Sequence, residues 1–238
     1  MRRLLFLVAL AGLAFAYTDS ALEINATVDA NGNAHVIEKS IFTLDNPEEV
    51  QNFEHYLLQG STLPSDWKRF SNNIQYHFGR GAEGGVSNLR VIAAREFGYG
   101  YTAASVSMEY DFSNLFLREK VNERVVRYVL DNRQLSFGSS DELKLNSGQS
   151  LSMRLPTEAL NVVVAPAGGA ERDRYNEVIW TGPLVGRWDV SFETEKSLSQ
   201  EVTEFFIGAY KSASESYLWL VVLAFLAVAA FKYAKLHE

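Results

Sequence analysis

Apolar residues run unbroken at both ends of this chain and alternate with polar ones between. The first stretch, MRRLLFLVALAGLAFA, has two arginines, an apolar run from Leu4 and Ala14-Phe15-Ala16 as a small-x-small cleavage site. That is the layout of a secretory signal peptide, predicted over residues 1–16. Near the other end YLWLVVLAFLAVAAF, Tyr217 to Phe231, carries no charge, and its apolar side chains wrap the whole circumference of a helix instead of one stripe. Those residues cover roughly 22 Å of a hydrocarbon layer roughly 30 Å thick. Lys232 and Lys235 can snorkel toward the headgroups, which extends the predicted transmembrane helix to 217–236 and leaves 237–238 as the cytoplasmic end. The two segments together predict a single-pass protein of the cell membrane, anchored in lipid through its C-terminal helix, with its bulk outside the cytoplasm.

Between them, ALEINATV and AHVIEKSIFTL alternate on either side of Asn31-Gly32, predicting an antiparallel hairpin with positive φ angles at that pair. Asn46, Pro47 and Glu49 then predict a capped helix with Val50, Phe53 and Leu57 as its apolar stripe and Gly60 as its stop. From Ser65 to Phe78 the spacing of Trp67, Phe70, Ile74 and Phe78 favours a second helix, although Ile74, Tyr76 and Phe78 also fit a strand. VIAAREF, YTAASVSMEYDF, RVVRYVL, LSMRL, NVVVAP, EVIWTG and RWDVSFE follow as short strands separated by turn-like clusters. The fold expected is mainly β (α+β): a β-sandwich ectodomain over residues 17–196 with a helical insertion at about 47–78. Ser197 and Gln200 read as a capping box opening a juxtamembrane helix or stalk over 197–216, with Val202, Phe205 and Ala209 on one face, running on into the span.

Charge and cysteine content narrow the function classes. The formal net charge is −7 over 238 residues, and the part between the apolar ends is more acidic still, because Arg2, Arg3, Lys232 and Lys235 all lie at the ends. Such a surface excludes nucleic acid as a partner, since phosphate contacts require clustered lysine and arginine, and it disfavours anionic lipid surfaces. There is no cysteine. The ectodomain must therefore be held by burial without disulfides, and a prokaryotic envelope is favoured over a eukaryotic secretory route. Asn25-Ala26-Thr27 is an acceptor sequon on the face of its strand opposite Leu22, Ile24 and Val28, which makes Asn25 a candidate glycosylation site.

No catalytic, cofactor or metal residues are assigned. Gly79 to Gly84 spell G-x-G-x-x-G, but the residues after them read as strand, whereas a dinucleotide loop needs a helix there. Ser65-Asp66-Trp67-Lys68 spells S-x-x-K without its companion motifs, and Ser65 is better read as a helix cap. His35, His55 and His77 show no metal-binding spacing, and Glu109 and Asp111, on one strand face, read as solvated side chains.

LPTEALNVVVAP, NEVIWTGPLVGRWDVSFE and LEINATVDANGNAHVIEKSIFTL together resemble uncharacterised archaeal and bacterial envelope proteins built from a signal peptide, a β-rich ectodomain and a membrane anchor. The resemblance covers about half of the ectodomain, as a pattern of strands and turns, and brings no site residues with it. With no catalytic signal in the chain, a membrane-anchored extracytoplasmic interaction or accessory protein is expected, for instance a subunit of an envelope complex; the alternative is a membrane-tethered extracytoplasmic hydrolase whose site is not recognisable from sequence. A partner helix, from another membrane protein or a second copy, is expected on the small residues Gly208, Ser212 and Ser216, spaced by four, and Ala230 with Ala234.

Overall fold

The structure is a computed structural model that describes residues 18–79, 85–96, 102–137, 142–167, 170–172, 176–196, 201–203, 205–212, 214 and 217. The expected signal peptide, the Ser197 and Gln200 caps and all of the expected span beyond Tyr217 lie outside the described residues. Among the described residues no helix is long and apolar enough to cross a membrane. The chain divides into two units, one of Met1–Glu119 with Arg127–Glu193 and the other of Lys120–Val126 with Thr194–Glu238.

The fold is mainly β. In chain order the elements are β1 (Thr18–Val28), β2 (Ala34–Thr43), α1 (Pro47–Gln59), α2 (Pro64–Trp67), β3 (Val86–Arg95), β4 (Ala103–Phe112), β5 (Phe116–Lys120), β6 (Val125–Leu130), β7 (Leu143–Leu145) and β8 (Gln149–Arg154), followed by β9 (Leu160–Ala165), β10 (Ala170–Arg172), β11 (Glu177–Thr181), β12 (Leu184–Gly186) and β13 (Asp189–Glu195). The largest sheet has the order β10-β11-β8-β1-β2-β4-β3, a second has β5-β6-β13-β9, and β12 pairs with β7. Within the large sheet β1 and β8 run parallel and the other pairings are antiparallel.

Side-chain alternation builds the core. Leu22, Ile24, Ala26 and Val28 of β1 are buried beside Val36 and Phe42 of β2 and Val106, Met108 and Tyr110 of β4, as period-two patterning demands of a sheet with one covered face. Trp180 of β11 stacks on Trp188, just before β13, with ring centroids 5.3 Å apart, and Phe137 tilts against Trp188 at 5.2 Å. Phe192 of β13 lies between Phe116 of β5 and Tyr128 of β6 at 5.2 and 5.1 Å, so the smaller sheet has its own aromatic layer.

The first helix forms as its sequence directs. Asn46 Oδ1 accepts from the Glu49 backbone N–H at 2.9 Å, Pro47 opens the helix and Gly60 closes it in the left-handed region at φ 63°. Glu49 reaches back to the Asp45 N–H at 2.6 Å and the Asn46 side-chain amide at 2.8 Å, a capping box shifted by one residue. Phe53 then packs with Phe42, Trp67 and Phe70 at 6.0, 5.4 and 5.5 Å.

Three local expectations change. The hairpin turn uses positive φ only at Gly32 (82°), because Asp29 Oδ1 accepts from the N–H groups of Asn31 and Asn33 at 2.8 and 2.9 Å and so holds a longer loop. The second helix is confined to Pro64–Trp67; beyond it Phe70 N–H bonds to Trp67 O and Ile74 N–H to Ser71 O, turn bonds that bury Trp67, Phe70, Ile74 and Phe78 without a continuous helix. Ser65 is not its cap: Leu63 holds that position and Pro64 opens the helix.

In the second unit, the end of β5 and the start of β6 are joined by a tight turn in which Asn122 Oδ1 accepts from the N–H groups of Arg124 and Val125 at 2.8 and 2.7 Å. The Lys196 N–H bonds to Arg124 O at 2.8 Å, and the chain is helical at 201–203, 205–212, 214 and 217. Arg124 Nε donates to Glu201 Oε1 at 2.6 Å, joining the turn to that helix.

Candidate functional site

The C-terminal helix carries the most concentrated exposed apolar surface described. Val202 is 52% exposed, Phe206 64% and Tyr210 78%, and Phe205 and Ile207 stand out beside them. At about 100° per residue, Val202, Phe206 and Ala209 fall within about 60° of one another, with Phe205 and Tyr210 flanking them and Lys211 on the far side. Glu201 points away from this stripe, toward Arg124. A helix that stood alone in water would not carry such a stripe.

An open cleft of about 590 Å³ beside it is lined by Lys120, Glu123, Arg124, Lys196, Glu201 and Phe205. Its charges are mixed in sign and Arg124 is already paired with Glu201, so it does not concentrate charge for one ligand.

Of the residues expected to contact a partner helix, Gly208 and Ser212 are exposed on the C-terminal helix, and a side chain at Gly208 would meet nothing within 4 Å. Ser216, Ala230 and Ala234 lie outside the described residues. Asn25 and Thr27 are exposed on the outer face of β1, where Asn25 pairs in register with Ile37 of β2 and Ser152 of β8.

One polar constellation that sequence reading missed lies inside the first unit. Glu38 is fully buried on the inner face of β2, yet its carboxylate has three partners. The His77 N–H donates to Oε1 at 2.9 Å, His77 Nδ1 lies 2.8 Å from Oε2, and the Tyr110 hydroxyl donates to Oε1. Burial, and then the Glu38 charge, push the Tyr110 phenol far above its ordinary range and raise Tyr76 as well. Phe137 stacks on the His77 ring at 5.0 Å, which closes the network over with apolar surface. The arrangement can lock the 68–78 segment to the sheet. The available signal was Glu38 itself, a charge in phase with Val36 and Phe42 on the buried face.

On the outer face, Glu109 and Asp111 are drawn together by His35, with Nε2 3.5 Å from Glu109 and Nδ1 2.8 Å from Asp111. Asn88 donates to Asp111 at 2.6 Å, and Asn88 first, His35 second, hold that carboxyl below its usual range. Each ring nitrogen faces a different carboxylate, and no group of three or more acidic or histidine side chains among the described residues is placed to hold a metal ion. His55 pairs with Gln59 along α1 at 2.9 Å, Ser65 and Lys68 are both exposed, and the residues after the glycine-rich loop form β3.

Comparison with known proteins adds little to this geometry. No family model matches the chain, and no curated protein matches it. Among solved structures the chain is similar to the folded domain of LppM from Mycobacterium tuberculosis, determined by NMR, at 11% identity over 76% of this chain and 94% of that one, with a TM-score of 0.30. A likeness at that level carries neither the fold nor an activity across.

Proposed function

We propose that this chain is a membrane-anchored extracytoplasmic interaction or accessory protein, for instance a subunit of an envelope complex. A β-sandwich head over 17–196 stands outside the cytoplasm, the helix over 197–216 acts as its leg, and residues 217–236 cross the bilayer after removal of 1–16. Asn25, on the exposed face of β1, is the place for a glycan.

The observation that carries this reading is the uncovered aromatic surface of the C-terminal helix, Phe205, Phe206 and Tyr210, which leads in sequence straight into the uncharged run from Tyr217 to Phe231. Apolar area of this kind on the approach to an anchor is what a helix-to-helix contact uses.

Protease applied to intact cells tests the topology. Removal of nearly all of the chain, leaving a short membrane-protected fragment, is the expected result. Protection of the head, or a mature chain that still begins at Met1, would show the topology to be wrong.

A further inference from the structure

We propose that the partner of the C-terminal helix is the same helix of a second copy of this chain, the two lying parallel and joined through Val202, Phe206 and Ala209. This deepens the membrane-anchored reading and rests on it for the parallel orientation.

The spacing identifies the partner's geometry. Val202, Phe206 and Ala209 are separated by four and three residues, and the same alternation continues in the sequence at 213, 216, 220, 223, 227, 230 and 234, every one of them alanine, serine or leucine. A sustained alternation of threes and fours keeps one seam facing one neighbour through a left-handed supercoil, in water and in lipid alike. Lys211 falls opposite the seam, where a paired helix faces solvent.

The flanks fit a second copy. In a parallel pair, the residue just before every second core position, here Phe205 before Phe206, meets the residue five further along on the other helix, which sets Phe205 against Tyr210 of the neighbouring copy on both sides of a twofold axis. These two side chains are 71% and 78% exposed, and a symmetric partner covers both at once. Lipid does not serve as the occupant of the upper stripe. Val202 stands fifteen residues before Tyr217, roughly 22 Å along a helix axis, whereas the headgroup layer of one leaflet is only roughly 5–8 Å deep. The Arg124 to Glu201 ion pair lies on another side of the helix and leaves the seam open.

The absence of native cysteine makes the test direct, since each introduced thiol is the only one present. The full chain is expressed in membranes as Phe206→Cys, Ala209→Cys or Lys211→Cys and treated with a mild oxidant. Strong disulfide-linked dimer bands are expected for the first two, with loss to background at Lys211→Cys. A Phe206→Glu change added to Ala209→Cys abolishes the band, whereas Lys211→Glu added to it does not; both sites are exposed, so the head is undisturbed. Equal bands at all three positions, none at any, or a product joined to a different protein would overturn the pairing. An alkaline wash of the same membranes separates the two ideas: a retained chain that does not cross-link refutes pairing alone, and a chain that washes out refutes the anchor.

Discussion

Glu38 shows how much can depend on one side chain. A carboxylate fully out of water is tolerated only if its oxygens are occupied, and His77 and Tyr110 occupy both. Truncation to alanine removes the acceptor and strands the Tyr110 hydroxyl and the His77 backbone N–H in the core, each unpaired donor being worth about 1–3 kcal/mol. Glu38→Ala is therefore expected to lower the unfolding free energy by about 2–5 kcal/mol, read from the urea midpoint at constant slope. Glu38→Gln keeps one carbonyl acceptor and should lose less. Because Gln has nearly the volume of Glu, equal losses for the two variants would mean that one carbonyl acceptor cannot stand in for the carboxylate at this position.

At the scale of elements, the chain's own signals are clearest where one period serves one environment. The strands at β1, β2, β4, β6, β8, β11 and β13 alternate because one face of each is covered, and that alternation was visible in the sequence. The cap of α1 was visible for the same local reason. Asn46→Ala removes that cap and is expected to cost about 1 kcal/mol, measurable as a shift in thermal midpoint; Trp67→Ala, which opens the cluster around Phe53 and Phe70, should cost about 3–5 kcal/mol. Over residues 68–78 the favoured helix does not form, because Trp67, Phe70, Ile74 and Phe78 satisfy helical spacing while the backbone turns under them, Ser71 Oγ accepting from Asn73 N–H at 3.0 Å. The short strands β5, β7, β10 and β12 are defined by their neighbours more than by their own composition. Partners of Glu38 lie 39 and 72 residues away in the chain, which no local pattern can reveal. Gly208 and Ser212 stand out in the sequence for their size, whereas Phe206 and Tyr210 beside them become informative only through their exposure in the fold.

For the whole molecule, the shifted groups predict a stability profile that falls off at both ends of the pH scale. Glu96 is held low by Lys39 and Ser105, Asp111 by Asn88 and His35, Asp131 by Arg133, and Glu193 by Asn161 and Arg127. Each binds its proton more weakly folded than unfolded. Their stabilisation is present above the ordinary carboxylate value of about 4 and is lost as pH falls through the lower folded values, so the acid arm should begin near pH 5 and steepen below 4. The alkaline arm has the opposite origin. Tyr110 is raised by burial and by Glu38, so the folded chain keeps a proton that the unfolded chain releases near pH 10; that contribution is present below about 10 and declines above it. Urea midpoints measured across pH 3–11 should therefore stay level near neutrality and drop at both ends. Tyr110→Phe leaves a ring with no proton to release and should flatten the alkaline arm while leaving the acid arm in place. An alkaline arm unchanged by that substitution would show that other groups govern it and that the phenol is not held protonated by the Glu38 network.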